Sequence, residues 1–259
     1  MPSITRMPAI FVGHGSPMNA LDDNAYTRVW QSFAERFARP KAILAISAHW
    51  TTHGTAVTAM AEPKTIHDFG GFPKPLFDVR YPAQGDPVLA ERVVQVLAPI
   101  SVKLDQEWGL DHGTWSVLLQ TYPNADIPVL QLSLDMTQGP AYHFALGQKL
   151  AGLRDEGVMI IASGNVVHNL ARMDSSSSGY DWAQRFNLAM RTAILAGQFD
   201  QVVNYAALGQ DAALSVPTSE HFLPLLYVLG AKSADESVEI VAEGMELGAI
   251  SMMSVVIGG

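Results

Sequence analysis

Short apolar runs alternate with stretches of helical periodicity along this chain. "AILAIS" (Ala42–Ser47) and "VMIIAS" (Val158–Ser163) are apolar almost throughout rather than at alternate positions. That is the pattern of strands covered on both faces. Similar runs predict strands at Ala9–Val12, Thr55–Met60, Pro128–Ser133, Val238–Ala242 and Ser251–Val256. Between them, the spacing predicts helices at Tyr26–Ala38, Pro87–Leu97, Trp115–Tyr122, Ala141–Leu153, Trp182–Ala196 and Phe222–Leu229. In the first of these, Trp30, Phe33 and Phe37 share one face, and Arg39-Pro40 stops the helix. The alternation predicts an α/β fold: one domain over residues 1–259, with a mostly parallel central sheet flanked by helices. Ala61 to Pro87 breaks the pattern with prolines, glycines and aromatics. A segment that long inside a domain is expected to form a lid or a wall of a binding site. "DSSSSGY" (Asp174–Tyr180) reads as a surface loop.

Composition narrows the function more than the fold. The 259 residues carry a net charge of −9, with no basic cluster, which argues against nucleic acid and anionic lipid as partners. Hydrophobic residues make up 48% and charged residues 16%, so a folded core is expected rather than disorder. No apolar run reaches the ~18 residues of a membrane span. The N-terminal stretch lacks a signal-peptide pattern, and the expected location is cytoplasmic. There is no cysteine, which removes disulfides, thiolate nucleophiles and Cys-type metal sites together. Any metal must be held by His, Asp or Glu.

Three of the core strands run into histidines. Ala9–Val12 leads to His14, Ala42–Ser47 to His49, and Val158–Ser163 to His168. In open α/β sheets ligands bind outside the carboxyl ends of the strands, so these imidazoles are expected to converge there. Imidazole binds metals through a neutral nitrogen, and histidines on one sheet edge can approach to the ~2.0–2.2 Å that metal–nitrogen bonds need. Thr218 or Ser219 reads as an N-cap, which places His221 in the first turn of the last helix. His112 sits before a helix, as a structural residue or a pocket donor. His53 and His143 read as surface or helix-face residues. No nucleophile elbow, zincin pair, phosphate loop or dinucleotide fingerprint is present.

"GHGSPMNAL", "SAHW", "HDFGGFP", "WGLDHGTWSVL", "GNVVHNL" and "HFLPLLYVLGA" follow one another in the order and spacing of a known family. From about Pro8 to Val256 the chain resembles the LigB-type class III extradiol ring-cleavage dioxygenases, with most likeness to their 4,5-DOPA branch. The resemblance implies a catechol substrate, O₂ as co-substrate and an Fe(II) site, with a muconic semialdehyde as product. His14 and His49 match two metal ligands, and His221 stands at the third. His168 matches the acid–base catalyst beside the metal, with metal ligation as its alternative role. His112 matches a histidine of the substrate pocket. Members that cleave protocatechuate have a glutamate as third ligand. Here the position carries His221, with Glu220 adjacent, and a four-histidine cluster is the alternative. A nitrogen-rich set should favour Zn(II) in purified protein.

Within Ile66 to Phe77, Asp68 is a candidate partner for the amine of an amino-acid catechol, with a turn cap as its bland role. A zinc-dependent hydrolase using the same histidines is the second reading, and a non-catalytic metal-binding protein the third. The expected assembly is a monomer or small homo-oligomer.

Overall fold

The computed structural model describes residues 6–175 and 178–259, so Ser176 and Ser177 of the serine-rich loop lie outside the described residues. Among the described residues ten strands alternate with helices: β1 (Ala9–Gly13), α1 (Ala25–Arg36), β2 (Ala42–Thr52), β3 (Thr55–Thr58), α2 (Lys74–Asp78), α3 (Pro87–Leu97), β4 (Val102–Asp105) and α4 (His112–Thr121). There follow β5 (Val129–Asp135), α5 (Pro140–Leu150), β6 (Val158–Gly164), α6 (Asp181–Leu195), α7 (Phe199–Val203), α8 (Gln210–Ser215) and α9 (Leu223–Gly230). The chain closes with β7 (Val238–Ala242), β8 (Met245–Glu246), β9 (Ile250–Ser251) and β10 (Ser254–Ile257).

Eight strands form one sheet in the order β4-β3-β5-β2-β6-β1-β10-β7. Its centre, β5-β2-β6-β1, is parallel throughout. β3 and β10 join this centre antiparallel, while β4 pairs with β3 in parallel. The expected α/β architecture with a mostly parallel sheet is therefore what forms. The all-apolar strands explain it. Phe11, Leu44, Ile46 and Ile160 face a layer that includes α3, α5, α6 and α9. Ile10, Val12, Ile43 and Ile161 face α1 and α4 on the other side. Neither side of these strands meets water.

Several boundaries differ from expectation, each for a local reason. β2 runs on to Thr52, so His49 lies inside a strand rather than beyond one. There β2 advances from Ile46 to Thr51 while β5 advances only from Leu132 to Leu134. The extra residues form a bulge. β4 has a weak signal because it is a short edge strand, with exposed Lys103 and Leu104 between buried ends. The expected strand Ser251–Val256 is broken at Met252-Met253 into β9 and β10. His221 precedes α9 instead of lying in its first turn, because Phe222 takes the N-cap position. His143 is wholly buried rather than on a surface, and its Nδ1 lies 3.0 Å from the Tyr227 hydroxyl. Among the described residues no helix is long and apolar enough to cross a membrane.

Candidate metal centre

The parallel centre of the sheet brings the C-terminal parts of three strands to one edge. β1 and β2 flank β6 on either side, so His14, His49 and the segment after β6 emerge together. The loop after β1 is fixed by Asn19, whose side-chain amide donates to the His14 carbonyl at 2.9 Å. The bulge in β2 turns His49 toward His14, and their Nε2 atoms stand 3.2 Å apart. The third element is α4. Asp111 caps it by accepting from the Thr114 N–H at 3.2 Å, and the Gln131 side chain on β5 donates to the same carboxylate. This places His112 at the first helical position, its ring centroid 3.8 Å from that of His49. Gly113 makes the approach feasible, because a Cβ there would lie 2.5 Å from Ser47 Oγ and 2.9 Å from the His49 ring.

His221 arrives from the loop before α9, where the Asn165 N–H donates to its carbonyl at 2.8 Å. The contact is too close for a side chain at Gly164, whose Cβ would strike that carbonyl oxygen. His168 stacks on His221, with ring centroids 3.5 Å apart and planes 7° from parallel. Two ligand-forming groups result: His14, His49 and His112, and beside them His168, Glu220 and His221. The first includes His112 where His221 was expected. His221 is nevertheless close, with its ring centroid 5.5 Å from His14 and 5.0 Å from His49.

The Nδ1 side of these rings is engaged. His14 Nδ1 lies 2.9 Å from Ser163 Oγ, and His221 Nδ1 donates to Glu220 Oε1 at 3.1 Å. Asp68 serves two rings. Its Oδ1 accepts from the His112 backbone N–H at 2.9 Å. Its Oδ2 lies 2.9 Å from His112 Nδ1 and 3.5 Å from His49 Nδ1, the former without an aligned hydrogen bond. A carboxylate or hydroxyl behind the ring is the usual device for aiming Nε2 at a metal. Two ligands of one ion, at about 2.1 Å each and near-tetrahedral angles, would stand ~3.2–3.4 Å apart. The His14–His49 pair has that spacing, so the donor set fits a divalent ion.

Burial, then the neighbouring His49, holds the His14 imidazole well below its ordinary range. Burial, then His112, does the same for His49. Burial also lowers His221, against the pull of Glu220. Neutral imidazoles are the form that binds metals. Burial and then His221 take His168 down to about 3. For Asp68, burial pushes upward, but the contacts with His112 outweigh it and leave the carboxyl lowered.

These rings form the floor of a cavity of about 370 Å³, a size suited to a small aromatic ligand. Phe69 and Phe72, from the unpatterned segment, stand in one wall, and Leu170, Met173 and Ile250 in another. His67, from the same segment, packs among Phe69, Phe77 and Trp115 instead. Asp68 is not among the lining residues, whereas Glu246 is. No motif or spacing marks Glu246, Ser163 or Asp111 as parts of this site. They lie far apart in the chain, and each belongs to a residue type common in turns and caps.

A family model for the catalytic LigB subunit of aromatic ring-opening dioxygenase matches residues 6–258. The chain belongs to this family. It is 55% identical to a 4,5-DOPA dioxygenase extradiol of Escherichia coli (strain K12), over 99% of this chain and 96% of that protein. A 4,5-DOPA dioxygenase extradiol of Beta vulgaris is 39% identical over 93% of this chain and 92% of its own length. A crystal structure of an uncharacterized protein from Escherichia coli K12 superposes with a TM-score of 0.86 at 50% identity, covering 98% of this chain and all of the other.

Proposed function

We propose that this protein is a metal-dependent extradiol dioxygenase, which opens the ring of a DOPA-like catechol with O₂ to give a muconic semialdehyde. The observation that carries the proposal is the facing Nε2 pair of His14 and His49 on the floor of an aromatic-walled cavity. Its likeness to the two 4,5-DOPA dioxygenases supports the substrate class. His14, His49 and His221 would hold the ion. The choice of His221 over His112 rests on its aligned hydrogen bond to Glu220, which leaves Nε2 as the lone-pair donor. Fe(II) is the ion expected to support turnover, and Zn(II) a competing occupant of so nitrogen-rich a site. When bound, the metal supplies Lewis acidity toward the catechol hydroxyls and the redox capacity that O₂ requires.

The chain's own residues do the rest. Ser163, Glu220 and Asp68 keep the rings aimed. Phe69 and Phe72 pack against a planar ring and exclude water. His168, stacked on His221 and lining the cavity, is kept neutral by burial and by His221, the form that takes a proton from a catechol hydroxyl oxygen made more acidic where a bound metal would hold it, and returns it as the product forms. His112 faces the bound catechol as a hydrogen-bonding partner, with the proton role as its alternative.

The test is anaerobic reconstitution with Fe(II), followed by a catechol panel in an oxygen electrode. Stoichiometric O₂ uptake with a yellow product is expected, and the absence of catechol-dependent uptake across the whole panel would end the proposal. Metal content of the His14→Ala, His49→Ala, His112→Ala and His221→Ala proteins checks the ligand set. Retention by His221→Ala with loss by His112→Ala would transfer the third ligand to His112.

A further inference from the structure

We infer that Glu246 is the counter-ion for a cationic tail on the substrate, so that the cavity selects catechols bearing an ammonium group. This rests on the dioxygenase reading of the site. Glu246 is the one carboxylate among the described residues that line the cavity, and no lysine or arginine lines it. Around it the walls are apolar, including Leu170, Met173, Leu247 and Ile250. Among the described residues, the Glu246 side chain has neither an ion pair nor a hydrogen-bond donor. The charged or titratable groups that act on it or feel it are Asp22 and Tyr26, neither of them a cation. A half-buried carboxylate without a counter-charge is costly, and burial, then Asp22, pushes this one above its ordinary value of 4.5. A ligand ammonium would relieve both effects at once.

The backbone holds Glu246 firmly in place. It ends β8, and the turn to β9 passes through Leu247 at a left-handed φ of 49°. Three N–H groups clamp that turn: Asn169 donates to the Ala249 carbonyl at 3.1 Å, Asp174 to Leu247 at 2.9 Å and Tyr180 to Gly248 at 3.0 Å. An isolated bridge joins Ile250 to His168. The carboxylate is thus carried by the same backbone unit as the proton-transferring histidine, and its distance from the reacting ring is set by that unit. Asp68, the sequence-based candidate for an amine partner, has its oxygens turned to His112 and His49.

The class that fits is a catechol with a short aminoalkyl or amino-acid side chain. A catechol with a carboxylate tail alone would face Glu246 with like charge. The experiment compares the Fe(II)-loaded protein with Glu246→Gln and Glu246→Lys on dopamine, 4-methylcatechol and 3,4-dihydroxyphenylacetate. The readout is the ratio of KM values for anionic and cationic tails, which is internally corrected for any general loss. The wild type should favour dopamine. Glu246→Gln should shrink that preference about tenfold or more, the value of one charge-assisted contact, and Glu246→Lys should invert it.

Anaerobic calorimetry with tyramine and 4-hydroxyphenylacetate reads the same preference without turnover. If no catechol consumes O₂ yet tyramine binding still depends on Glu246, the dioxygenase reading fails and the counter-ion role stands. A ratio unchanged within about twofold in both variants, or an equal loss on every ligand, overturns the proposal.

Discussion

At the residue scale, the five cavity histidines differ by what stands behind each ring. His14 and His221 have an aligned partner at Nδ1, while His168 is held by stacking on His221. A ring held by stacking can pivot more readily than one whose Nδ1 is hydrogen-bonded. His168→Gln is therefore expected to retain its metal and to lose turnover by about 10²–10⁴-fold, the usual contribution of a general acid–base. Metal analysis beside steady-state rates checks this, and an apo protein revived by excess Fe(II) would make His168 a ligand. Asp68 acts through other groups. Asp68→Asn removes the charge beside His112 and His49, and should lower turnover of neutral and ammonium catechols by the same factor, about 10–100-fold. A loss confined to ammonium substrates would restore Asp68 as the amine partner.

At the element scale, the bulge in β2 and the N-terminus of α4 are built against each other. In an ordinary helix Gly→Ala gains up to about 1 kcal/mol. At Gly113 the new methyl would meet Ser47 Oγ and the His49 ring. Both lie on the sheet, and Ser47 is wholly buried, so neither yields cheaply. Overpacking of about 1–3 kcal/mol should win. Gly113→Ala is expected to lower stability and weaken metal binding, read by thermal unfolding with and without metal. A higher melting temperature would show that the bulge gives way.

At the scale of the whole molecule, one ion pair ties the ends of the chain to the fold. Arg154 is wholly buried and donates to the carbonyls of Met7, Ala231 and Ile257, as well as to Glu236. Burial pushes the Glu236 carboxyl up, but Arg154 first, then the Ser233 N–H and Arg6, together outweigh it and leave the value below its ordinary 4.5. A carboxyl lowered on folding stabilises above its unfolded value and loses that contribution as pH falls through its folded value. Glu236→Gln should cost about 3 kcal/mol at neutral pH, the low end for a broken buried pair, because Arg154 keeps its carbonyl partners. The gap between wild type and variant should narrow steadily as pH falls below about 5, where the unfolded carboxyl begins to take up its proton. Urea unfolding across that range is the check, and a pH-independent gap would point to packing instead. Metal acts on the whole fold as well. An ion at about 100 times its Kd should add about 2.7 kcal/mol, seen as a raised melting temperature that a chelator reverses.

Much of this protein is written locally. The unbroken apolar runs of β2 and β6 reveal strands covered on both sides, since burial on two faces leaves no polar alternation. The glycine-flanked His14 and the histidines following core strands follow from the same logic, because a parallel sheet delivers its strand ends to one edge. Other features depend on contacts between distant segments. The sequence shows Glu220 beside His221, but not that its carboxylate fixes the ring. It places Asp68 in a loop of the right kind, yet cannot say that both oxygens turn to histidines. It offers no reason to notice Glu246. A side chain's partner is set by the register of strands and the docking of loops tens of residues apart, such as the bulge at Ile46–Thr51 and the clamp on Leu247–Ala249. Periodicity records which face of an element is buried. Only the packed structure decides which polar atom that face meets.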